Sequence, residues 1–299
     1  MITKPTIIVT SIGRTGTLFF SKLFYDIILD ATVLHEPDYI NFFQYNGFNS
    51  KLSNLLKQIN ESSFYYLIYK KLLLNWDLIE ISDDRLKGKI DPYRAINSLI
   101  NLRKNFIYTR YGSCYVESSS AYYGLIDIAQ YAFKHHRIVY IIRDGRDWVQ
   151  SKMNWGQMYA KGRLRSKLAH TWPRSDEMKY DFYKFKWNKM SRFERICWAW
   201  TTLNTYAINQ INENPYARLF YFEDIFKSSN RTDNLSDLIN FATDLPSIRT
   251  IPSSPLSRWL ERKIHKSEPQ FPPWEDWGVT LKQTFNNICG PLMTNLGYY

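Results

Sequence analysis

The sequence predicts an α/β protein of three layers, with a central and mostly parallel sheet covered by helices on both faces. Two observations carry this. A β-branched run followed by a small-residue turn and a helical pattern occurs three times, and a long amphipathic helix leads into a fourth strand. No internal repeat and no linker divides the chain, so residues 1–299 are expected to form one domain.

The first unit starts at Thr6–Ser11, turns at Gly13, and continues with Leu18, Phe19, Leu23, Phe24, Ile27 and Ile28 at helical spacing. In the second, Ser113–Val116 is expected to lead into a helix over Ala121–Phe133. In the third, Arg137–Ile142 leads through Asp144-Gly145 into a helix over Arg146–Met153. The fourth strand, Ala217–Phe222, follows a helix over about Arg192–Asn212, with Ile196, Trp200, Leu203 and Ile211 on its apolar side. Between the first two units, Ile40–Phe106 is rich in Leu, Tyr, Asn and Lys and is expected to be a helical, substrate-side insertion. Gly156–Lys189 is basic and aperiodic, the pattern of a lid or long loop. Proline-rich Pro246–Pro273 is a further excursion before a closing helix near Thr280–Leu292.

Composition narrows the function. The 299 residues are 44% hydrophobic and 22% charged, which is globular and neither disordered nor fibrous. Apolar runs are short, as at Phe64–Leu74 where Lys70 and Lys71 intervene, so no membrane span is expected. With no export signal and three widely spaced cysteines, Cys114, Cys197 and Cys289, the expectation is a soluble cytoplasmic protein with reduced thiols and no metal. A net charge of +11 favours polyanionic partners, and 17% aromatic content adds stacking surface.

Two segments carry chemistry. The first is Gly13-Arg14-Thr15-Gly16-Thr17-Leu18, at a strand-to-helix junction. There, backbone N–H groups and the helix dipole converge, Arg14 adds fixed charge, and Thr15 and Thr17 offer hydroxyls: the makings of a phosphate or sulfate site. A Walker A loop would need a Lys and a hydroxyl after its last Gly, and the Lys is missing, which disfavours metal-dependent kinase chemistry. The second segment is Arg143-Asp144-Gly145-Arg146-Asp147, with Ser151 eight residues after Arg143. Arg143 leaves a strand and Ser151 comes round about two helical turns later, so the pair could hold a second phosphate, although Arg143–Asp147 could also be an ion-pair cluster at a helix start.

Taken together, in this order and separation, these segments resemble the sulfotransferases that use 3′-phosphoadenosine 5′-phosphosulfate (PAPS). The resemblance implies their P-loop-like fold, a 5′-phosphosulfate bound at residues 13–18, a 3′-phosphate bound by Arg143 and Ser151, and 3′-phosphoadenosine 5′-phosphate as product. Phe220-Tyr221-Phe222-Glu223-Asp224 is similar to the family's adenine-covering Tyr-Glu-Asp segment, with Phe222 where Tyr is usual. Leu296-Gly297-Tyr298 is similar to the ending of many members, and Lys263-Ile264-His265 to a late basic loop over the nucleotide. Two departures stand out: Gly145 replaces a common Pro at a position where either tolerates a helix start, and Arg14 stands where cytosolic members have Lys, which places the chain nearer the bacterial and carbohydrate branches.

The resemblance also implies an acceptor hydroxyl on a carbohydrate, glycolipid or small metabolite. His35-Glu36-Pro37 resembles a Glu-Pro segment in which the Glu is the general base, which points to Glu36. His35 is the alternative base, since an unperturbed imidazole titrates near neutrality. Glu117, at the end of the second predicted strand, is expected to bind substrate or to act as a reserve base. The competing readings are an inactive module binding nucleic acid or sulfated glycan through the basic Lys161–Lys189 stretch, and a P-loop kinase. No nucleic-acid-binding motif accompanies the charge, and no feature reads out the acceptor or the oligomeric state.

Overall fold

The computed structural model describes residues 1–38, 77–155, 158–159, 172–251, 256–261 and 270–299. Five parallel strands form the sheet: β1 (Thr6–Thr10), β2 (Ala31–His35), β3 (Cys114–Ser118), β4 (His136–Ile142) and β5 (Ala217–Tyr221), in the order β2-β3-β1-β4-β5. Four were expected. β2 was not; it pairs along β3 from Ala31 opposite Cys114 to His35 opposite Ser118.

Alternation along the strands explains the three layers. In β4, Ile138, Tyr140 and Ile142 face one apolar cluster with Ile8, Tyr115, Trp200 and Phe285, while Val139 and Ile141 face another with Ile7, Val9, Phe20 and Val116. Strands buried on both faces read as continuous apolar runs, and parallel strands need helical crossovers. The first cluster is covered by a long helix, Arg192–Asn212, and by the closing helix, Val279–Asn295; the second is covered by Thr17–Ile27 and Arg231–Thr243.

The helices start where their caps dictate. Ser191 and Glu194 form a reciprocal capping box at Arg192–Asn212, as Asp77 and Glu80 do at Leu78–Leu86. Asp91 caps Pro92–Tyr108, with Pro92 in the first turn where its missing N–H costs nothing. These last two helices are the described part of the expected helical insertion. The expected helix over Ala121–Phe133 is instead a 3-10 turn, Ser120–Gly124, followed by one helical turn, Ala129–Ala132. Gly124 shows why: a Cβ there would lie 2.7 Å from the Ser82 carbonyl oxygen, so tertiary packing fixes the local backbone.

The chain leaves β1 toward β2 and β3 on one side and reaches β4 and β5 on the other. The loops after β1 and β4 therefore open side by side at the carboxyl edge, where open α/β sheets form their binding crevice. Among the described residues no helix is long and apolar enough to cross a membrane.

Candidate functional site

The loop joining β1 to the first helix carries three residues in the left-handed backbone region. Gly13, Arg14 and Gly16 have φ of 81°, 62° and 85°. For Arg14 this left-handed conformation is unfavourable, and such strain gathers at ligand-binding turns. Gly16 is the helix N-cap and offers no side-chain cap, so the first N–H groups of Thr17–Ile27 have no partner within the helix. A Cβ on Gly16 would meet the Phe226 ring at 3.4 Å.

The two expected anion segments meet directly. The Arg14 guanidinium donates to Ser151 Oγ at 2.9 Å, and Arg143 donates to the Arg14 carbonyl at 3.0 Å. Two indoles hold the backbone in this register: Trp148 donates to the Gly13 carbonyl at 2.8 Å and Trp200 to the Arg143 carbonyl at 3.0 Å. Arg143 lies 4.7 Å from the centre of the Phe222 ring and 3.7 Å from Asp147, and its Nε is buried without a hydrogen-bond partner. A buried donor in that state is a preformed demand for an acceptor. Burial and the neighbouring Arg143 charge both lower the pKa of Arg14.

The helix Gly145–Asn154 brings Ser151 to this point, and its start is locked from several sides. Asp144 caps it by accepting from the Arg146 N–H at 2.8 Å. The Asp144 N–H donates to Glu223 at 3.1 Å; Glu223 also accepts from the Tyr298 hydroxyl at 3.0 Å, and Arg146 donates to the Tyr298 carbonyl at 3.2 Å. Glu223 and the chain's last turn thus brace the helix start. Gly145 is more constrained than its sequence position implied: a Cβ would meet Trp200 and Phe285 at 3.1 Å, so a larger residue requires those rings to give by a few tenths of an ångström.

The other predicted residues separate into those facing the crevice and those turned away from it. Glu36 follows β2 with φ 46°, again left-handed, and its carboxylate accepts from the Ser120 N–H at 3.0 Å and from Ser119 Oγ at 3.2 Å. Withdrawal from water raises its pKa, partly offset by those hydrogen bonds. His35 Nε2 lies 3.1 Å from Thr17 Oγ1. Surrounding protein and the Lys22 charge lower its pKa, although one edge of the ring stays exposed. Leu18 is half-buried in the first turn of its helix. Thr15 is buried and donates inward to Ser11 Oγ at 2.6 Å, so its hydroxyl supports the loop from behind.

Glu117 departs furthest from expectation. It is wholly buried and accepts from Arg103 at 2.7 and 2.8 Å, from Tyr115 at 2.7 Å and from Tyr122 at 3.0 Å. Arg103 also reaches Asp38 at 2.5 Å. This carboxylate is fully engaged inside the protein and faces no solvent, so a substrate-binding or reserve-base role lacks access. Lys263 and His265 lie outside the described residues, as do residues 161–171 of the basic Lys161–Lys189 stretch. Among the described residues no group of three or more His, Cys, Asp or Glu is placed to hold a metal ion.

The feature that sequence reasoning missed is Lys152, one residue beyond Ser151. Its Nζ lies 3.5 Å from where a Gly13 Cβ would stand and 4.9–5.2 Å from the ring centres of Trp148, Trp155 and Trp172. Trp148 and Trp155 stand four residues before and three after Lys152, on the same helical side, and were a local signal; only Trp172 comes from a distant segment.

No family model matches the chain, and no curated protein does. Among solved structures, the chain is similar to a sulfotransferase domain from the curacin biosynthetic pathway, with 11% identity, a TM-score of 0.45, and coverage of 97% of this chain and 98% of that one. A likeness at this level shows neither a family nor an activity.

Proposed function

We propose that this protein is a sulfotransferase that moves the sulfuryl group of PAPS to a hydroxyl of a carbohydrate, glycolipid or small metabolite. The observation that carries this is the direct contact between two cationic cradles, Arg14 to Ser151 and Arg143 to the Arg14 carbonyl, at the crevice of a parallel sheet. Contact at this range lets one nucleotide with phosphates at both ends of its ribose engage both cradles. The buried, unpartnered Arg143 Nε and the glycine-lined turn fit such a polyanion.

In this reading, residues 13–18 hold the 5′-phosphosulfate through backbone N–H groups and Arg14, and Arg143 and Ser151 hold the 3′-phosphate. Phe222, tilted against Phe226 with ring centres 4.5 Å apart and beside Arg143, supplies an aromatic wall for the adenine. PAPS supplies an activated sulfuryl group, and the protein's own task is to orient it, stabilise charge and accept the acceptor's proton. Glu36 is the base. Burial pushes its pKa upward, which makes the carboxylate a stronger base than an exposed one. His35 orients Thr17. Glu117, through Arg103, anchors Asp38 two residues beyond the base and so acts as a positioning residue.

Thermal unfolding with added ligands tests the proposal. The largest stabilisation is expected from 3′-phosphoadenosine 5′-phosphate, less from 5′-AMP, and none specific to ATP with Mg²⁺ or to an oligonucleotide. Preference for ATP with Mg²⁺ would support a kinase, and preference for the oligonucleotide would support a binding module.

A further inference from the structure

Lys152 is a cation with almost no contact with water, at 2% exposure. It follows Ser151 on Gly145–Asn154, so it points about 100° away from the side that meets Arg14. Among the described residues its ammonium forms no ion pair and no hydrogen bond. Its neighbours are π faces: Trp148 at 5.0 Å, Trp155 at 5.2 Å and Trp172 at 4.9 Å. Cation–π attraction repays part of the desolvation, yet a buried charge normally requires an anion.

The place where that anion would sit is defined by what surrounds Nζ. A Gly13 Cβ would lie 3.5 Å from Nζ and 4.0 Å from the Ser120 Cβ, and the Ser120 N–H holds the Glu36 carboxylate at 3.0 Å. Arg14 lies 5.8 Å above Trp155, the same indole that faces Lys152. Two cations therefore share one aromatic wall, with the anion-binding turn and the carboxylate at its edge. Burial and Arg14 lower the pKa of Lys152 to about 7 while Glu36 raises it, so an arriving anion would complete the charging of this ammonium.

Resting on the sulfotransferase reading, we propose that Lys152 is a catalytic residue whose ammonium, in its tryptophan cage opposite Arg14, holds an oxygen of the sulfuryl group in transit. In the transfer, the bond from sulfur to the bridging phosphate oxygen breaks and a bond from sulfur to the acceptor oxygen forms. The acceptor proton passes to Glu36, and the bridging electrons stay on the departing phosphate. Lys152 keeps its protons and donates hydrogen bonds throughout, and its effect is greatest as charge builds on the sulfuryl oxygens.

The product nucleotide lacks the sulfuryl group, which gives a binding test that needs no acceptor. Affinities for PAPS and for 3′-phosphoadenosine 5′-phosphate are measured by calorimetry on the wild type and on Lys152→Met, each shown to be folded by its unfolding transition. Release of labelled sulfate from PAPS to water is followed in parallel. Lys152→Met is expected to weaken PAPS about tenfold or more, the loss of one charge-assisted hydrogen bond, with the product nucleotide changed by less than about twofold and sulfate release reduced at least as much as PAPS binding. An equal loss for both nucleotides would make Lys152 structural, and no loss for either would remove it from the site; each result overturns the inference while leaving the parent reading intact. A wild-type protein that binds neither nucleotide overturns both.

Discussion

Glu36 and Glu117 stand at the carboxyl edge of neighbouring strands, yet the protein treats them in opposite ways. Glu117 is enclosed by Arg103, Tyr115 and Tyr122, with its acceptor capacity filled by four hydrogen bonds. Glu36 sits on a left-handed backbone and, among the described residues, is held by Ser119 and Ser120 alone, with no cation paired to it. The difference teaches how to tell a scaffold carboxylate from a working one. Complete pairing in a dry interior makes a charge inert, whereas incomplete pairing on a strained backbone leaves capacity for chemistry.

The comparison breaks most sharply at Glu36. Glu36→Gln is expected to reduce sulfate transfer by about 10²–10⁴-fold, the usual worth of a general base, with little change in unfolding temperature and nearly unchanged binding of the product nucleotide. In the wild type, the raised pKa of Glu36 means that turnover falls as pH drops through a value above 4.5, and this acid limb should vanish in the variant. A pH–rate profile over that range checks it. At Glu117 the effect should be on stability instead. Arg103→Met leaves a buried carboxylate without its cation and should cost about 3–5 kcal/mol, read by denaturant unfolding.

Lys152 sharpens the same contrast, because like Glu36 it has no oppositely charged partner among the described residues, and it is more deeply buried. Its pKa falls from 10.5 to about 7 in the fold, so between those values the unfolded chain binds the extra proton. Stability therefore rises with pH across that window, and the penalty is fully present below pH 7. Lys152→Met is expected to stabilise the free protein, by a few kcal/mol at most, at pH 6–7, with the gain disappearing toward pH 10. Thermal unfolding at several pH values measures this. The smallest effect belongs to Ser151→Ala, which removes one hydroxyl from the 3′-phosphate cradle and should weaken the bisphosphate about tenfold in a direct titration while leaving 5′-AMP unaffected.

Much of this was legible in the sequence because it is local. β1 and β4 are centred on the apolar runs Ile7–Val9 and Ile138–Ile142, and Arg192–Asn212 has a Ser-x-x-Glu cap and helical periodicity in one window. Each cradle is a contiguous motif, so residues 13–18 and the pair Arg143 and Ser151 could each be read as an anion site, and the resemblance to PAPS-dependent sulfotransferases assigned both to one nucleotide. What escaped depends on packing between distant segments. β2 went unread although its length and half-buried edge position match those of β5, which differs in following a long amphipathic helix that marks its start. Glu117 resembled a site residue because nothing nearby in sequence shows that Arg103, from an inserted helix, reaches it. Lys152 drew no expectation from the sequence, and its enclosure depends on Trp172, which packs against it from a distant segment.

The central claim is that the two cradles grip one nucleotide through both of its phosphates, and calorimetric titration of the wild-type protein tests it most directly. Expected are one 3′-phosphoadenosine 5′-phosphate per chain and a clear affinity advantage over 5′-AMP that Arg143→Ala abolishes. Equal affinity for the two nucleotides, or an advantage that survives Arg143→Ala, would contradict it.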